Sequence, residues 1–264
     1  MDNIYNRNLI KDKLQDYFLN FIYNERNFKN LIFTGGTCLR KLYGLPRLSE
    51  DIDLDYEKEI DLNLLIKKIS EYFRSLKPNF TPPLIKVASN KRTIFFKFQK
   101  KDFLPEVKDE EIIFVRCDFN QVKNNFFKTE ILPYSFNNYN FFIRAYDLTT
   151  NFANKLLAFL ERDFFKGKKQ KIPFKGRDVF DIFWFLDLSA KSGFNLKPNW
   201  DIIRENFPQL THDEIIKKIV EKISLIDEKE IMVDLSPFIA DQKFLNNFLN
   251  NFKEFIKNRL SFIK

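Results

Sequence analysis

The sequence contains very little cysteine and histidine, and this scarcity excludes several kinds of site. Only two of the 264 residues are cysteines, Cys38 and Cys117, and neither belongs to a CxxC pair, so no disulfide framework is expected. His212 is the one histidine, which excludes mechanisms that need two and argues against a zinc site of His and Cys ligands. It stands in a polar helix start and is interpreted as a surface residue near the helix cap. If the protein is an enzyme, carboxylates and lysines must carry its chemistry.

Long hydrophobic runs are also missing. Hydrophobic residues make up 44% of the chain, but charged residues and asparagines interrupt them everywhere. No uninterrupted run approaches the roughly 18 residues that a membrane-spanning helix needs. The first six residues lack the basic and then apolar layout of a signal peptide. We therefore expect a soluble, cytoplasmic protein without a membrane partner.

Positive charge is in excess, with a formal net charge of +8 and a pI near 9.2. Lysine and arginine gain affinity for nucleic acids by displacing counterions from phosphates, so this excess is compatible with a polyanionic partner. A general compositional bias toward Lys, Asn, Ile and Phe explains the charge equally well, and the 33 phenylalanines are in keeping with such a bias. The charge alone leaves both explanations open.

Hydrophobic periodicity divides the sequence into a mixed part and a helical part. Up to about residue 145, short runs rich in β-branched and aromatic residues, which predict strands, alternate with segments whose apolar residues recur at helical spacing. After residue 146 the spacing is helical, and it predicts helices over 149–162 and 177–190 and three or four more. We therefore predict an α+β fold with one domain at residues 1–145 and an all-helical domain at residues 146–264. The predicted strands are 31–33, 51–56, 94–98, 111–119 and 140–145.

Two aspartates, Asp51 and Asp53, occupy alternate positions of a predicted strand. Residues at i and i+2 of a strand point to the same face, so the two carboxylates repel each other unless a cation neutralises them. Hard oxygen ligands suit Mg²⁺ or Mn²⁺. The alternative is an edge strand whose solvent-facing side happens to be acidic, and for a bare pair of this kind that alternative is the more common one.

A glycine-rich junction precedes this strand and changes its interpretation. Gly35, Gly36 and Thr37 lie where a predicted strand gives way to a predicted helix. Glycines let a phosphate approach the backbone, a helix N-terminus offers N–H groups and partial positive charge, and the threonine adds a hydroxyl. A triphosphate held at this junction would meet metals held at Asp51 and Asp53, which is a catalytic arrangement.

A third carboxylate from a neighbouring strand is common in two-metal sites. The best candidate is Asp118, at the end of a predicted strand, although an ordinary strand-end residue is the alternative. Asp118 is also the residue best placed to accept or orient the proton of an acceptor hydroxyl. Asp102 and Asp109 are poorer candidates because their surroundings are loop-like.

These residues resemble a known family. The segment 33–40 contains GGT-x-LR and the segment 47–54 reads R-x-SEDIDL, as in the AbiEii/AbiGii toxin family of polymerase-β-like nucleotidyltransferases. Segments 153–158 and 177–181 resemble the A-x-KL-x-A and RD-x-x-D segments of the same family. The resemblance spans roughly residues 30 to 190, and the later helices match only in being helical. It implies a polymerase-β-like catalytic domain with a mixed sheet flanked by helices, and a helical domain that closes the nucleotide cleft.

The resemblance also implies the roles of individual residues. Asp51, Asp53 and Asp118 would ligate the metal, and Lys155 would reach the triphosphate. Arg40 and Arg47 both resemble the family, and either could contact phosphate, although a structural role in the loop explains them equally well. The remaining implied residues are Gly35, Gly36, Thr37, Arg47 and Ser49 for nucleotide binding and Asp178 and Asp181 for orientation or activity.

The sequence around Lys155 supports a special position without the resemblance. Lys155 shares a helical face with Phe152 and Phe159, which is unusual for a lysine unless it faces a cleft. The alternative is a side chain that extends past those rings to water. Asp181 lies on a strongly apolar helix and is expected to pair with a cation, for which Lys155 is a candidate. Asp178 has the simpler alternative of favouring the helix N-terminus.

The family's activity is the transfer of a nucleoside monophosphate from an NTP to an acceptor hydroxyl, assisted by Mg²⁺ or Mn²⁺. The resemblance implies a toxin of a bacterial toxin–antitoxin or abortive-infection system, with an antitoxin partner and RNA, the tRNA 3′ end, as acceptor. The basic segment 166–171 suits an RNA backbone, and a solvated loop explains it equally well. The alternatives are a transferase that modifies a protein or a small molecule, and an inactive module that binds RNA or a partner. The oligomeric state is left open.

Overall fold

The computed structural model separates into two compact units. The first comprises Met1–Gly44, Leu48–Lys123 and Thr129–Tyr146, and the second comprises Leu45–Arg47, Asn124–Lys128 and Asp147–Lys264. The predicted domain boundary after residue 145 stays a prediction. Asp102 and Asp109 lie outside the described residues. The structure describes residues 2–76, 81–100, 112–122, 125–162, 164–166, 170–172, 174–191 and 195–263.

The first unit is built on a mixed sheet of seven strands in the order β3-β4-β5-β2-β1-β7-β6. Strand β2 runs parallel to β5 and β1 runs parallel to β7, whereas the other neighbours are antiparallel. Three helices accompany the sheet: α1 (Asp2–Asn24), α2 (Gly35–Tyr43) and α3 (Leu62–Leu76). The strands are β1 (Ile32–Thr34), β2 (Asp51–Tyr56), β3 (Leu84–Val87), β4 (Thr93–Gln99), β5 (Ile112–Gln121), β6 (Thr129–Phe136) and β7 (Tyr139–Tyr146).

Helices α1 and α3 contribute apolar side chains to the core on this sheet. The Phe18 ring of α1 lies 4.8 Å from the ring of Phe73 in α3 and 4.6 Å from that of Phe96 in β4, measured between centroids. All three are almost completely buried. Such aromatic groups remove a large apolar area from water and prefer tilted contacts of this kind. The Tyr23 hydroxyl ties α1 to the sheet because it lies 3.1 and 3.0 Å from the backbone carbonyl oxygens of Leu31 and Arg144, either of which can accept its proton.

The second unit is mainly helical. Its helices begin at polar caps: the Asp147 side chain accepts from the Thr150 backbone, and Thr211 and Glu214 form a complete capping box. None of the helices in the described part of the chain is long and apolar enough to cross a membrane. The helices are α4 (Leu148–Glu161), α5 (Gly176–Lys191), α6 (Trp200–Asn206), α7 (His212–Ser224), α8 (Glu228–Leu235) and α9 (Gln242–Leu260), followed by a 3₁₀ turn at Ser261–Ile263.

The α+β fold, with its mixed sheet and its helical C-terminal region, confirms the predicted fold class. Some elements were not predicted. Two short strands, β8 (Phe164–Lys166) and β9 (Gln170–Ile172), form an antiparallel pair inside the helical region. Strand β6 was missed because Pro133 interrupts its pattern, and prolines are confined to edge strands such as this one. His212 is more than a surface cap, since its ring stacks on Trp200 with centroids 4.2 Å apart.

Candidate active site

The acidic face of strand β2 is the starting point of the site. Ile52, Leu54 and Tyr56 point into the core, and the alternating residues are only half-buried. Asp51 and Asp53 therefore stand together on the accessible face, as the period of a strand requires. Asp55 follows on the same face, where its carboxylate accepts a hydrogen bond of 2.8 Å from the Tyr146 hydroxyl.

The Gly35–Thr37 segment forms the first turn of α2. The helix begins directly at Gly35, whose φ of 77° lies in the left-handed region that favours glycine. A Cβ atom at this residue would lie 2.1 Å from Oδ2 of Asp53, so the absence of a side chain makes room for that carboxylate. The buried Thr37 hydroxyl donates to the backbone carbonyl of Asp51. The helix start and the acidic strand are thus fixed to each other.

Strand β5 brings a third carboxylate onto the same face. In the parallel pairing of β2 with β5, Asp53 is in register with Asp118, and Asp51 is in register with Arg116. Residues in register on neighbouring strands point to the same side of the sheet. The structure therefore places the three predicted carboxylates, Asp51, Asp53 and Asp118, together with the guanidinium of Arg116. The strand continues to Gln121, so Asp118 does not end it.

Asp118 already has close partners in the structure. Its Oδ2 lies 2.8 Å from Nε of Arg116, and its Oδ1 accepts from Nη2 of Arg116 at 3.1 Å and from the Thr93 hydroxyl at 2.6 Å. Burial lowers the pKa of Arg116, but the carboxylates of Asp118, Asp51 and Asp53 outweigh that effect and raise it. Within the described residues, no three His, Cys, Asp or Glu side chains are grouped so that they could hold a metal ion.

The chemistry of these carboxylates is nevertheless that of ligands for a divalent cation. Carboxylate oxygens are the hard ligands that Mg²⁺ and Mn²⁺ prefer. The guanidinium of Arg116 is a positive charge already held by this acidic face, as the negative charge of the carboxylates favours. The glycine at position 35 preserves space beside Asp53 that any other residue would fill.

A second polar cluster lies in the second unit, around the fully buried Asp181 of helix α5. Arg47 donates to both carboxylate oxygens, at 2.6 and 2.7 Å, and Nζ of Lys155 lies 2.8 Å from Oδ2. Burial raises the pKa of Asp181, but the charges of Arg47 and Lys155 outweigh burial and lower it. The expectation that Asp181 pairs with a cation is confirmed. The Lys155 charge is directed to this carboxylate, and Arg47 makes a two-point contact within the same unit.

Asp178 lies one turn earlier on the same helix and has a different environment. It is in the first turn of α5, and its Oδ2 lies 2.7 Å from Nε of Arg162, although the two groups are not aligned as a hydrogen bond. Burial raises its pKa, and the neighbouring Lys155 and Arg162 offset this effect only in part. Two aspartates three residues apart therefore have pKa values shifted in opposite directions.

The other predicted residues have structural contacts. The carbonyl of buried Ser49 accepts from the Gln15 side chain at 2.9 Å, and Arg40 donates to Asp12 through Nε at 2.7 Å. In the basic segment 166–171, residues 167–169 lie outside the described residues, and the flanking strands β8 and β9 pair with each other. The implied nucleotide-binding roles of Arg47 and Ser49 stay predictions.

Arg116 and Thr93 were not anticipated from the sequence. Arg116 precedes Asp118 by two positions on a predicted strand, so its place on the acidic face follows from the same alternation that selected Asp118. Thr93 could not be found in that way, because it reaches Asp118 only through the antiparallel pairing of β4 with β5.

Two crystal structures share this fold. One is JHP933 from Helicobacter pylori, with 18% sequence identity, a TM-score of 0.51, and coverage of 96% of this chain and 93% of that chain. The other is a protein from H. pylori designated a candidate nucleotidyltransferase, with 19% identity, a TM-score of 0.50 and 97% coverage of both chains. Identities this low establish the fold alone. A comparison with curated proteins finds no match.

The family that this chain matches defines it as a nucleotidyltransferase. The family model described as "Nucleotidyl transferase AbiEii toxin, Type IV TA system" matches residues 18–258, and the chain belongs to that family. The match extends well beyond residues 30 to 190, which carried the resemblance. It includes most of the C-terminal helices, so these are part of the family's architecture.

Proposed function

We propose that this enzyme transfers a nucleoside monophosphate from an NTP to a hydroxyl group of RNA, with the 3′ end of tRNA as acceptor. The observation that carries the proposal is the alignment of Asp51, Asp53 and Asp118 on adjacent parallel strands beside the N-terminus of α2. The net charge of +8 supports an acceptor that is itself a polyanion. Membership of a nucleotidyltransferase family supports the reaction type.

The three carboxylates are proposed to hold Mg²⁺ or Mn²⁺, since enzymes of this class generally use a divalent metal with an NTP. Such a metal neutralises the charge that develops on the transferred phosphoryl group. The chain itself positions the carboxylates: the register of β2 and β5 sets their separation, and the Thr93 hydroxyl orients Asp118. In this proposal Asp118 also accepts or orients the proton of the acceptor hydroxyl.

The phosphates are proposed to bind at the start of α2. The Thr37 hydroxyl is used by the Asp51 carbonyl, so the backbone N–H groups of Gly36 and Thr37 are the proposed donors, assisted by the helix dipole. The triphosphate role that the resemblance implies for Lys155 stays a prediction; within the second unit, its contact with Asp181 fixes the direction of its side chain. Asp181 also holds Arg47, so both cations depend on one buried carboxylate.

A transfer assay tests this function. The protein is incubated with each labelled NTP, Mg²⁺ and total tRNA, and we expect labelled RNA and release of pyrophosphate. Asp51→Asn keeps the size of the side chain but removes its charge, and it should lower the rate by at least about 100-fold because the charge stabilisation at stake is several kcal/mol. Chelation of divalent ions should abolish the label.

Asp55→Asn is the matched control for that substitution. Asp55 lies on the same strand and the same face, but it is engaged by Tyr146, so its variant should transfer at nearly the wild-type rate. Label that appears only on protein or on small molecules would show that the RNA acceptor is wrong while the transferase stands. Equal labelling by wild type and Asp51→Asn would show that the assigned site is wrong.

A toxin of this family requires control by an antitoxin, and the family description names a type IV toxin–antitoxin system. We therefore propose that a cognate antitoxin is a partner of this protein. We propose the cytoplasm, where NTPs and tRNA occur, as its place of action. Expression of wild type alone should arrest growth, whereas Asp51→Asn should not. Growth arrest by both proteins would show that toxicity does not depend on nucleotide transfer.

A further inference from the structure

Arg116 stands within the acidic face that the proposed function assigns to the metal. It alternates with Asp118 on β5, and in register it faces Asp51 of β2. Its Nε and Nη2 atoms contact the two oxygens of Asp118 at 2.8 and 3.1 Å. A guanidinium that contacts both oxygens of a carboxylate makes one of the stronger ion pairs in proteins.

The charges on this face explain why the guanidinium is there. Three carboxylates on two adjacent strands repel one another, and Arg116 interacts electrostatically with all three. Its positive charge offsets part of this repulsion. Its side chain is 46% exposed, whereas that of Asp118 is 16% exposed, so the arginine can withdraw into water and the aspartate cannot.

We propose that Arg116 is a built-in counter-cation that competes with the divalent metal for Asp118. The inference rests on the proposed metal-dependent function. The guanidinium occupies a lone pair on each oxygen of Asp118, and Oδ1 also accepts from Thr93. A metal that binds Asp118 through both oxygens therefore requires Arg116 to release it. The Thr93 hydroxyl keeps its 2.6 Å contact with Oδ1 and holds the carboxylate in place during the exchange.

The exchange has two consequences. The arginine lowers the metal affinity of the free enzyme, because binding must break the ion pair. It also keeps the acidic face stable when no metal is present. Removal of the arginine should therefore shift metal affinity and metal-free stability in opposite directions, which a residue with a merely structural role would not do.

Binding of Mn²⁺ alone, measured by the loss of the free-ion electron paramagnetic resonance signal, tests this proposal without any turnover. Arg116→Gln should bind Mn²⁺ about tenfold more tightly than wild type. Arg116→Lys keeps the charge but loses the two-point contact, so its affinity should lie between the two. In a chelator, Arg116→Gln should unfold at a lower urea concentration than wild type, and saturating Mn²⁺ should reverse that order.

Arg144→Gln is the matched control. Arg144 is also ion-paired within the first unit, to Glu57 at 2.7 Å, and the substitution removes the same charge. Its Mn²⁺ affinity should equal that of wild type. Equal tightening in both glutamine variants would mean that net charge alone acts, and the proposal would be overturned.

The remaining outcomes separate this proposal from the proposed function. If wild type and Arg116→Gln bind Mn²⁺ equally and Asp51→Asn does not bind it, the metal site stands and the competition by Arg116 is overturned. If none of these proteins binds Mn²⁺, the assigned metal site fails and the competition fails with it.

Discussion

The negative charges of the acidic residues are neutralised in different ways on the sheet and on helix α5. On the sheet, Asp118 is paired with an arginine that is nearly half exposed. On the helix, Asp181 is completely buried and is paired with Arg47 and Lys155, whose side chains are 3% and 15% exposed. The first arrangement can exchange its cation with solvent, and the second cannot do so without opening the unit.

The difference separates a binding site from a fixed scaffold. A buried ion pair gives little net stability compared with apolar packing, but the loss of one partner leaves an uncompensated charge. The pair of Asp118 with Arg116 is a two-point contact but is partly exposed, so water and other cations can compete for it. We therefore expect substitutions around Asp181 to act mainly on stability, and substitutions around Asp118 to act mainly on what the site binds.

The largest expected effect comes from Asp181→Ala, which removes the carboxylate at the centre of the buried cluster on helix α5. Two cations would lose the carboxylate that holds them, and removal of one partner of a buried pair costs about 3–5 kcal/mol. The free energy of unfolding, measured by urea denaturation, should fall by that amount. Asp187→Ala on the same helix removes an exposed pair with Lys191 and should cost only about 0.3–0.5 kcal/mol. Similar losses for both variants would contradict the distinction.

A loss of stability of similar or smaller size is expected for Gly35→Ala, which tests the packing beside the acidic strand of the sheet. Both Gly35 and Gly44 have positive φ, so alanine at either position should cost about 1–2 kcal/mol for the backbone alone. At Gly35 the new Cβ would also meet Asp53, whereas nothing lies within 4 Å at Gly44. We expect Gly35→Ala to lose about 1–3 kcal/mol more than Gly44→Ala.

The rates of nucleotide transfer by Gly35→Ala and Gly44→Ala give a second comparison of these variants. The carboxylate of Asp53 must move away from an alanine at position 35, so nucleotide transfer should be lost in Gly35→Ala even under conditions in which the protein is folded. Gly44→Ala should retain transfer. An active Gly35→Ala enzyme would show that the close approach of Asp53 to the helix start does not matter for the reaction.

The smallest effect is a difference in pH dependence between Asp178→Asn and Asp181→Asn. The pKa of Asp181 is lowered, so its contribution to stability is complete above the ordinary value of about 3.9 and is lost as pH falls through the lowered value. The pKa of Asp178 is raised, so its ionised form destabilises the fold above the raised value, and this penalty disappears as pH falls toward about 3.9.

Unfolding of wild type and both variants between about pH 3 and pH 7 measures these contributions. The advantage of wild type over Asp181→Asn should shrink at the acidic end. Relative to Asp178→Asn, wild type should instead improve as the pH falls. Slopes of the same sign for both variants would mean that the two carboxylates have similar environments, and the described ion pairs could not then be correct.

The fold was predictable wherever a single element carried a strong pattern. The alternation of Asp51 to Tyr56 identified β2, and the apolar spacing around Asp181 identified α5. Strand β6 was not predictable, because an edge strand with one exposed face and an internal proline has no clear alternation. The β8–β9 pair was hidden for another reason: three-residue strands are too short for periodicity to distinguish.

The site was predictable as a set of residue types but not as a set of contacts. Alternation on single strands selected Asp51, Asp53 and Asp118, and their alignment depends on the register between β2 and β5, which no local pattern contains. Likewise, the sequence suggested a cation for Asp181 but could not show that Arg47, 134 positions away, supplies two hydrogen bonds. Long-range pairing decides both, and only the folded chain supplies it.

Cys117 can report on the local opening of strand β5, because its thiol lies within the strand that carries Asp118. This thiol lies between Arg116 and Asp118 in β5, is 3% exposed, and has a pKa raised by burial and by the nearby carboxylates. A thiol in that state reacts with alkylating reagents only when the strand opens. When Cys38, the other buried thiol, is replaced, the rate of alkylation at Cys117 therefore reports how often the strand opens at the acidic face. The same measurement would show whether nucleotide or metal slows that opening.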